Sequence, residues 1–456
     1  MVGKGLDLQQ APPISVPLRF FITAPAFALL AALVTVWQGA EVFQSRWAPA
    51  TLAVTHLLVL GCVTMVMVGA LMQIMPVLAG APFARPRAIA SIVHPALSLG
   101  TLALAGGFLT GERTLLAAAT VLLGSAFAVF VAAMAHALSR ATATNATVRT
   151  LWLVAAALAI AVALGAWLAS SRGWSIPLFV ASLPDVHPGW ALLGWVGLLV
   201  VAVAHRVVPM FQLTPNYPDW MPRRFGWAVL AALTAWSAAT EFGGRVASIA
   251  GAVPLAMLYA TFAATTLRLQ RRRRRRQLDV NVLFWRAGML CAIGAVLGWI
   301  VSLSSELPSG FTVAVGVLAV VGAALSLVNG MLYRIVPFLA WFHLYTRAGA
   351  SPHVPHLKDY LADGLQRRQL WLHIASIALL VAATLWPPAL ARVAAVVLAA
   401  SALQWLLNLL AIVRVYTRHV GAIALSQSPQ RKQAIARNEP TKMGSSYGTG
   451  GFGPSR

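Results

Sequence analysis

The chain has 456 residues, of which 59% are hydrophobic and only 10% charged, against about 25% charged in a soluble globular protein. That much apolar surface cannot be hidden inside one water-facing core, so the solvent of this chain is lipid and its fold class is all-α and polytopic. The formal net charge of +23 invites a nucleic-acid reading. The basic residues, however, lie in connections and tails without the aromatic or base-reading neighbours that specific nucleic-acid binding needs.

Apolar stretches long enough for a span of about 20 residues fall at 18–39, 52–78, 88–109, 114–138, 149–170, 188–210, 225–241, 244–267, 282–303, 310–340, 369–389 and 392–416. They predict about twelve transmembrane helices in one domain, residues 1–420. The first stretch is long and lacks a small-residue cleavage site, so it reads as helix 1 and not as a removable signal. Three segments break the pattern of short connections. "QLTPNYPDWMPRR" (212–224) is a proline-rich loop, and 343–369 is a long polar connection with room for an amphipathic helix at 357–368. The tail, 421–456, is Ser/Gly/Gln-rich without hydrophobic period and is expected to be disordered.

With the N-terminus in the cytoplasm, the outer side carries only Arg46, Arg113, Arg172, Arg245 and Arg392. That leaves 29 of the 34 Lys and Arg inside. This positive-inside bias predicts that both termini are cytoplasmic, in a bacterial-type inner membrane. "RRRRRR" (Arg271–Arg276) then reads as a topology anchor beside anionic lipid. The two cysteines, Cys62 and Cys291, lie in apolar stretches without CxxC or CxxCH spacing and read as small core residues.

One pattern recurs. "GCVTMVMVGALMQIMP" (Gly61–Pro76), "GWVGLLVVAVAHRVVP" (Gly194–Pro209) and "GAALSLVNGMLYRIVP" (Gly322–Pro337) each run Gly, fourteen residues, Pro. The eighth residue after the first Gly is small each time: Gly69, Ala202 and Gly330. Gln73, Arg206 and Arg334 align, as do Met72, His205 and Tyr333. The copies fall on helices 2, 6 and 10, which predicts three pseudo-repeats of four helices, 18–140, 149–267 and 282–416.

Twelve helices in three four-helix arcs resemble the catalytic subunit of haem–copper oxidases and nitric oxide reductases. The likeness is sharpest in His56, Gly61, Gly69 and Pro76, and in the helix end "YRIVPFLAW" (Tyr333–Trp341). The NnrS group, haem- and copper-containing membrane proteins linked to nitric oxide tolerance, is a comparable match. The resemblance implies haem and copper as cofactors and a cytochrome or other respiratory subunit as partner. The chain also departs from the oxidase pattern. The outer half of helix 10 ("GFTVAVGVLAVVG") and helix 7 ("FGWAVLAALTAWSAAT") contain no histidine, so the oxygen-reducing site is expected to be incomplete.

His56 opens helix 2 and His187 ("SLPDVHPGW") opens helix 6 from the same side, each about 30 Å before its proline. Both rings are therefore expected at one depth, where two neutral imidazoles could share a haem iron. Asp185 is the expected orienting partner of His187, and Gly194 and Ala191 are expected to leave room beside it. Met67, with Met65, could serve Cu(I) instead. His205, His94 and His136 lie toward the inner side as weaker metal candidates, and His353 and His356 lie in a loop. Arg206 and Arg334 are expected to snorkel or to meet an anion.

These readings favour a haem- or copper-binding membrane protein in electron transfer or in nitric oxide or copper handling, without oxidase activity. If it is an enzyme, it is an oxidoreductase of oxidase or nitric oxide reductase type. A transporter, or a scaffold for a respiratory complex, is the alternative. A reporter fused within 171–185 and another at residue 430 are expected on opposite sides of the membrane. The same side for both would overturn the layout.

Overall fold

The computed structural model describes residues 12–143, 145–275, 277–348 and 354–426. Lipid offers backbone groups no hydrogen bonds, so each crossing segment must satisfy its own, which helices do. The described residues contain no strand. Their long helices are α1 (Ser15–Gln38), α2 (Pro49–Ala79), α3 (Pro86–Thr110), α4 (Arg113–Ser139), α5 (Ala146–Gly173), α6 (Leu183–Gln212), α7 (Trp220–Phe242), α8 (Gly244–Arg271), α9 (Val280–Ser304), α10 (Ser309–Arg347), α11 (Asp363–Ala383) and α12 (Pro387–Ser426).

Ten of these helices are long and apolar enough to cross a membrane. The two others are α7, 23 residues long with Arg223 and Arg224 at its start, and α11, 21 residues long with Asp363, Arg367 and Arg368 in its first turns. The amphipathic helix expected at 357–368 does not form. A single 3₁₀ turn, Leu357–Tyr360, precedes α11, which takes the remainder of that stretch into its first turns. Helix 10 runs past Pro337 to Arg347, beyond the expected end at 340. Pro337 lacks one donor, but the flanking turns carry the helix on. The helix of α12 continues to Ser426, and the rest of the expected tail, 427–456, lies outside the described residues, as does His353.

Helices α2, α6 and α10 meet one another inside the bundle, and α12 closes the surrounding helices by packing on α1. In the most apolar stretch of α2, 83% of residues are buried, against 22% in α9. The outward surface remains apolar, as a lipid-facing surface should. Exposed indoles stand near helix ends, Trp37, Trp47, Trp174 and Trp386 at one level and Trp220, Trp227 and Trp371 at the other, where interfacial tryptophans concentrate.

The three inner helices share a local irregularity. Each contains a π-helical stretch of eight residues: Leu57–Thr64, Trp190–Gly197 and Leu318–Leu325. Each begins four residues before the first glycine of the repeated pattern. Such wide turns are rare and concentrate at functional sites.

The small residues of the pattern admit a neighbouring helix. A Cβ at Gly69 would come within 2.8 Å of Phe20 Cβ on α1, and one at Gly330 within 2.6 Å of Phe284 Cβ on α9. Gly61 faces Phe27 of α1 and Gly322 faces Cys291 of α9, so the two helix pairs dock on glycines in the same way. Gly124 on α4, by contrast, has no atom near its missing Cβ.

Gly330→Ala is therefore expected to destabilise the protein by about 1–3 kcal/mol through overpacking. Gly124→Ala should be neutral or slightly stabilising. Thermal unfolding of the purified variants measures both, and equal effects would contradict this account of the packing.

Candidate functional site

The end of the bundle that carries His56 and His187 holds a cavity of about 1270 Å³. Residues from all three π stretches line it, among them Leu60, Ala191 and Val320. His56, the last residue before the π stretch of α2, and His187, three residues before that of α6, stand on its wall. Their rings are nearly parallel, 9° apart, with centroids 6.5 Å from each other.

Both rings are oriented through Nδ1. His56 Nδ1–H donates to Leu52 O, one turn back in its own helix, at 2.7 Å. His187 Nδ1–H donates to Ala161 O on α5 at 3.1 Å. A carbonyl only accepts, so in each neutral ring the proton sits on Nδ1 and Nε2 carries the free lone pair. Neither Nε2 has a hydrogen-bond partner among the described residues. Phe108 of α3 packs on the His56 ring at 5.3 Å. Gly165, one turn beyond Ala161 on α5, makes room for His187, because a Cβ there would lie 2.8 Å from Cε1 of the ring.

The two residues expected to serve His187 are engaged elsewhere. Asp185 Oδ1 accepts from Arg46 Nη2 at 2.5 Å, and Ala161 O takes the orienting position. Gly194 points at α5, where its missing Cβ would lie 3.2 Å from Ala157 Cβ, and it is not on the cavity wall. Ala191 does line the cavity. Met65 and Met67 are buried in the core away from the cavity.

The weaker histidine candidates are dispersed. His94 Nε2 meets Thr23 Oγ1 at 2.9 Å and packs edge-on against Phe20. His136 is exposed on α4. His205 packs edge-on against Tyr217, and its Nε2 is buried without a partner. Tyr217 stands in the loop between α6 and α7, bonded to Thr266, and burial raises its phenol well above the usual tyrosine range. His356 sits in the turn before α11, where its backbone N–H donates to Asp359. Arg334 pairs with Asp279 at 2.7 Å, while Arg206 is exposed. No group of three or more His, Cys, Asp or Glu able to hold a metal ion occurs among the described residues.

Three features escaped the sequence reading. Arg46, Arg172 and Arg245, counted only as outer charges, line this one cavity. Arg46 also stacks over Trp47, and Arg172 has no hydrogen-bonding or ionic partner among the described residues. Gly165 was the second feature. The third was His373 of α11, fully buried with Nε2 2.8 Å from Ser326 Oγ. Its signal was present in the sequence, since Gln369, His373 and Ser376 follow helical spacing and form one polar stripe.

Compared with known proteins, the chain matches no family model and no curated protein. Fold and chemistry must therefore be argued from the site itself.

Asp185→Asn removes the ion pair with Arg46, whose side chains are 45% and 43% exposed. Solvent screens such a pair, so the expected loss in thermal unfolding is under about 1 kcal/mol. A much larger loss would mean that the pair holds the mouth of the cavity together.

Proposed function

We propose that this chain is a membrane cytochrome of oxidase-like plan, in which His56 and His187 would hold one haem, and that it carries electrons without reducing oxygen. The observation that carries this reading is the geometry of the two imidazoles. Two neutral imidazoles this close, each with Nε2 unpaired, are a pair that could hold one metal ion. The rings of His56 and His187 stand at 6.5 Å, with each Nδ1 bound to a carbonyl and each Nε2 left as a ligand atom.

The surroundings fit the same group. Ligand pockets usually measure about 300–1,000 Å³, and a cavity of about 1270 Å³ has room for a flat macrocycle beside the rings. Arg172, without a hydrogen-bonding or ionic partner among the described residues, stands on the same wall and could meet the carboxylates that a haem carries. A lone copper ion is less well served, because Met65 and Met67 do not reach the cavity.

A haem bound there supplies one-electron oxidation and reduction at its iron. The protein's part is to fix both imidazole tautomers through Leu52 O and Ala161 O, to clear the ring edge at Gly165 and to surround the pair with apolar side chains. Were both imidazoles to hold the group, it would supply electron transfer and not oxygen activation. Among the described residues no Asp or Glu stands in the middle of a helix, so the described helices offer no members for a carboxylate proton relay. The role is respiratory electron transfer, or the nitric oxide or copper handling that the sequence resemblance implies.

The same reading takes all twelve long helices as spans, α7 and α11 included, in three repeats of four with both termini in the cytoplasm of a bacterial-type inner membrane. Its support is the common register of the three π stretches and the matching glycine contacts of α1 with α2 and of α9 with α10.

Protein purified from cells supplied with haem and copper is expected to show narrow bands in its reduced-minus-oxidised spectrum. His56→Ala or His187→Ala should abolish or broaden them, while His136→Ala should not. Oxygen uptake with an artificial donor should stay at background. A wild-type protein carrying neither haem nor copper would overturn the reading in favour of a transporter or scaffold.

A further inference from the structure

At the end of the bundle away from the cavity, arginines gather around the connection between α8 and α9. Arg273 and Arg275 stand in that connection, Arg286 on α9 and Arg334 on α10. Arg275, Arg286 and Arg334 are near enough to repel Arg273, and Asp279 is near enough to attract it. Asp279 is already divided between two of them. Its Oδ2 accepts from Arg334 Nη2 at 2.7 Å, and its Oδ1 lies 3.5 Å from Arg275 Nη1.

The other donors are left over. Arg273 donates from Nε to Arg275 O and from Nη2 to Gln277 O, and its Nη1 is buried with no partner among the described residues. Arg286 is half-buried, about 9 Å along α9 from Val280, and has no hydrogen-bonding or ionic partner among the described residues. Four guanidiniums against one carboxylate leave three net positive charges together. The Arg334 and Asp279 side chains are only 31% and 22% exposed, so water screens the group weakly. Positive-inside topology requires only that basic residues stay on one side. It does not require them half-buried and side by side, where repulsion and lost hydration are costly without an anion.

We propose that these arginines bind a phosphate group of net negative charge. Guanidinium forks pair with phosphate oxygens two at a time, and one phosphate presents oxygens to several forks at once. A carboxylate has two oxygens, and Asp279 shows its reach: it engages two arginines and leaves Arg286 and Arg273 Nη1 unpaired. The exposed indoles of Trp220, Trp227 and Trp371 mark the headgroup level at this end of the bundle. The phosphate therefore belongs either to an anionic phospholipid or to a solute in the adjoining water. The inference does not depend on the haem reading, since none of these residues lines the cavity of the imidazole pair.

The test uses the full chain and two probes. Native mass spectrometry of detergent-solubilised protein, titrated with phosphatidylglycerol and separately with phosphatidylcholine, reads the lipid source. Calorimetric titration with inorganic phosphate in phosphatidylcholine nanodiscs reads the soluble one. Saturable binding of one phosphatidylglycerol or one phosphate per chain supports the proposal and names the source. Arg286→Gln should weaken that binding by about tenfold or more, and Arg286→Lys by less. Asp279→Asn, which removes the competing carboxylate, should strengthen it. The double variant Arg223→Gln/Arg224→Gln, which removes two exposed charges from the start of α7, should leave it unchanged. If Arg286→Gln does not fold, Arg286→Lys and Asp279→Asn carry the test. Three results would overturn the proposal: no saturable binding of either probe to the wild type, equal retention of phosphatidylcholine and phosphatidylglycerol without phosphate binding, or a loss in the Arg223/Arg224 variant as large as in the Arg286 variants. Haem content enters neither readout, so this inference and the haem reading fail separately.

Discussion

In lipid, a polar side chain has no water to fall back on. It must find a protein partner, a ligand or a cavity. Many polar groups inside this bundle find a protein partner. Gln212, Gln270 and Asn281 bond to one another across α6, α8 and α9. Tyr333, Gln369 and Asn408 do the same across α10, α11 and α12. His373 has Ser326, and His94 has Thr23. His56 and His187 are each satisfied only at Nδ1, and they stand side by side with both Nε2 atoms unspent. The bundle is shaped around that pair. The inner helices widen into π turns beside it, glycines bring the outer helices close elsewhere, and an apolar space is kept open there.

Much of this was legible in the sequence, because depth in a membrane is countable. His56 and His187 precede the prolines of the recurring Gly-x14-Pro pattern by similar distances, and counting along the helices alone placed them at one level. Their mutual approach needed the three-dimensional packing. So did the orienting group: Ala161 O is a backbone atom on α5, and no side-chain pattern announces it. Asp185 looked like the natural partner because it is two residues away in sequence, but that spacing points it away from the ring and toward Arg46.

The π stretches were not legible either, although the glycine that marks each one was. A wide turn depends on neighbours filling it from outside the helix, as when Tyr259 of α8 donates to Leu193 O. Helices α7 and α11 were found by their apolar centres, yet their charged first turns shifted their limits. His373 was readable as part of a polar stripe. The arginines of the cavity wall were visible only as topology signals, since three separate loops must come to one opening before their charges act together.

Electron paramagnetic resonance of the oxidised, haem-loaded protein tests the central claim most directly, because it reports both axial ligands and their mutual orientation. If His56 and His187 hold one haem between them, the oxidised protein gives a low-spin ferric signal that His56→Ala and His187→Ala each abolish. A high-spin signal, or a low-spin signal unchanged in both variants, would contradict the assignment of His56 and His187 to the haem.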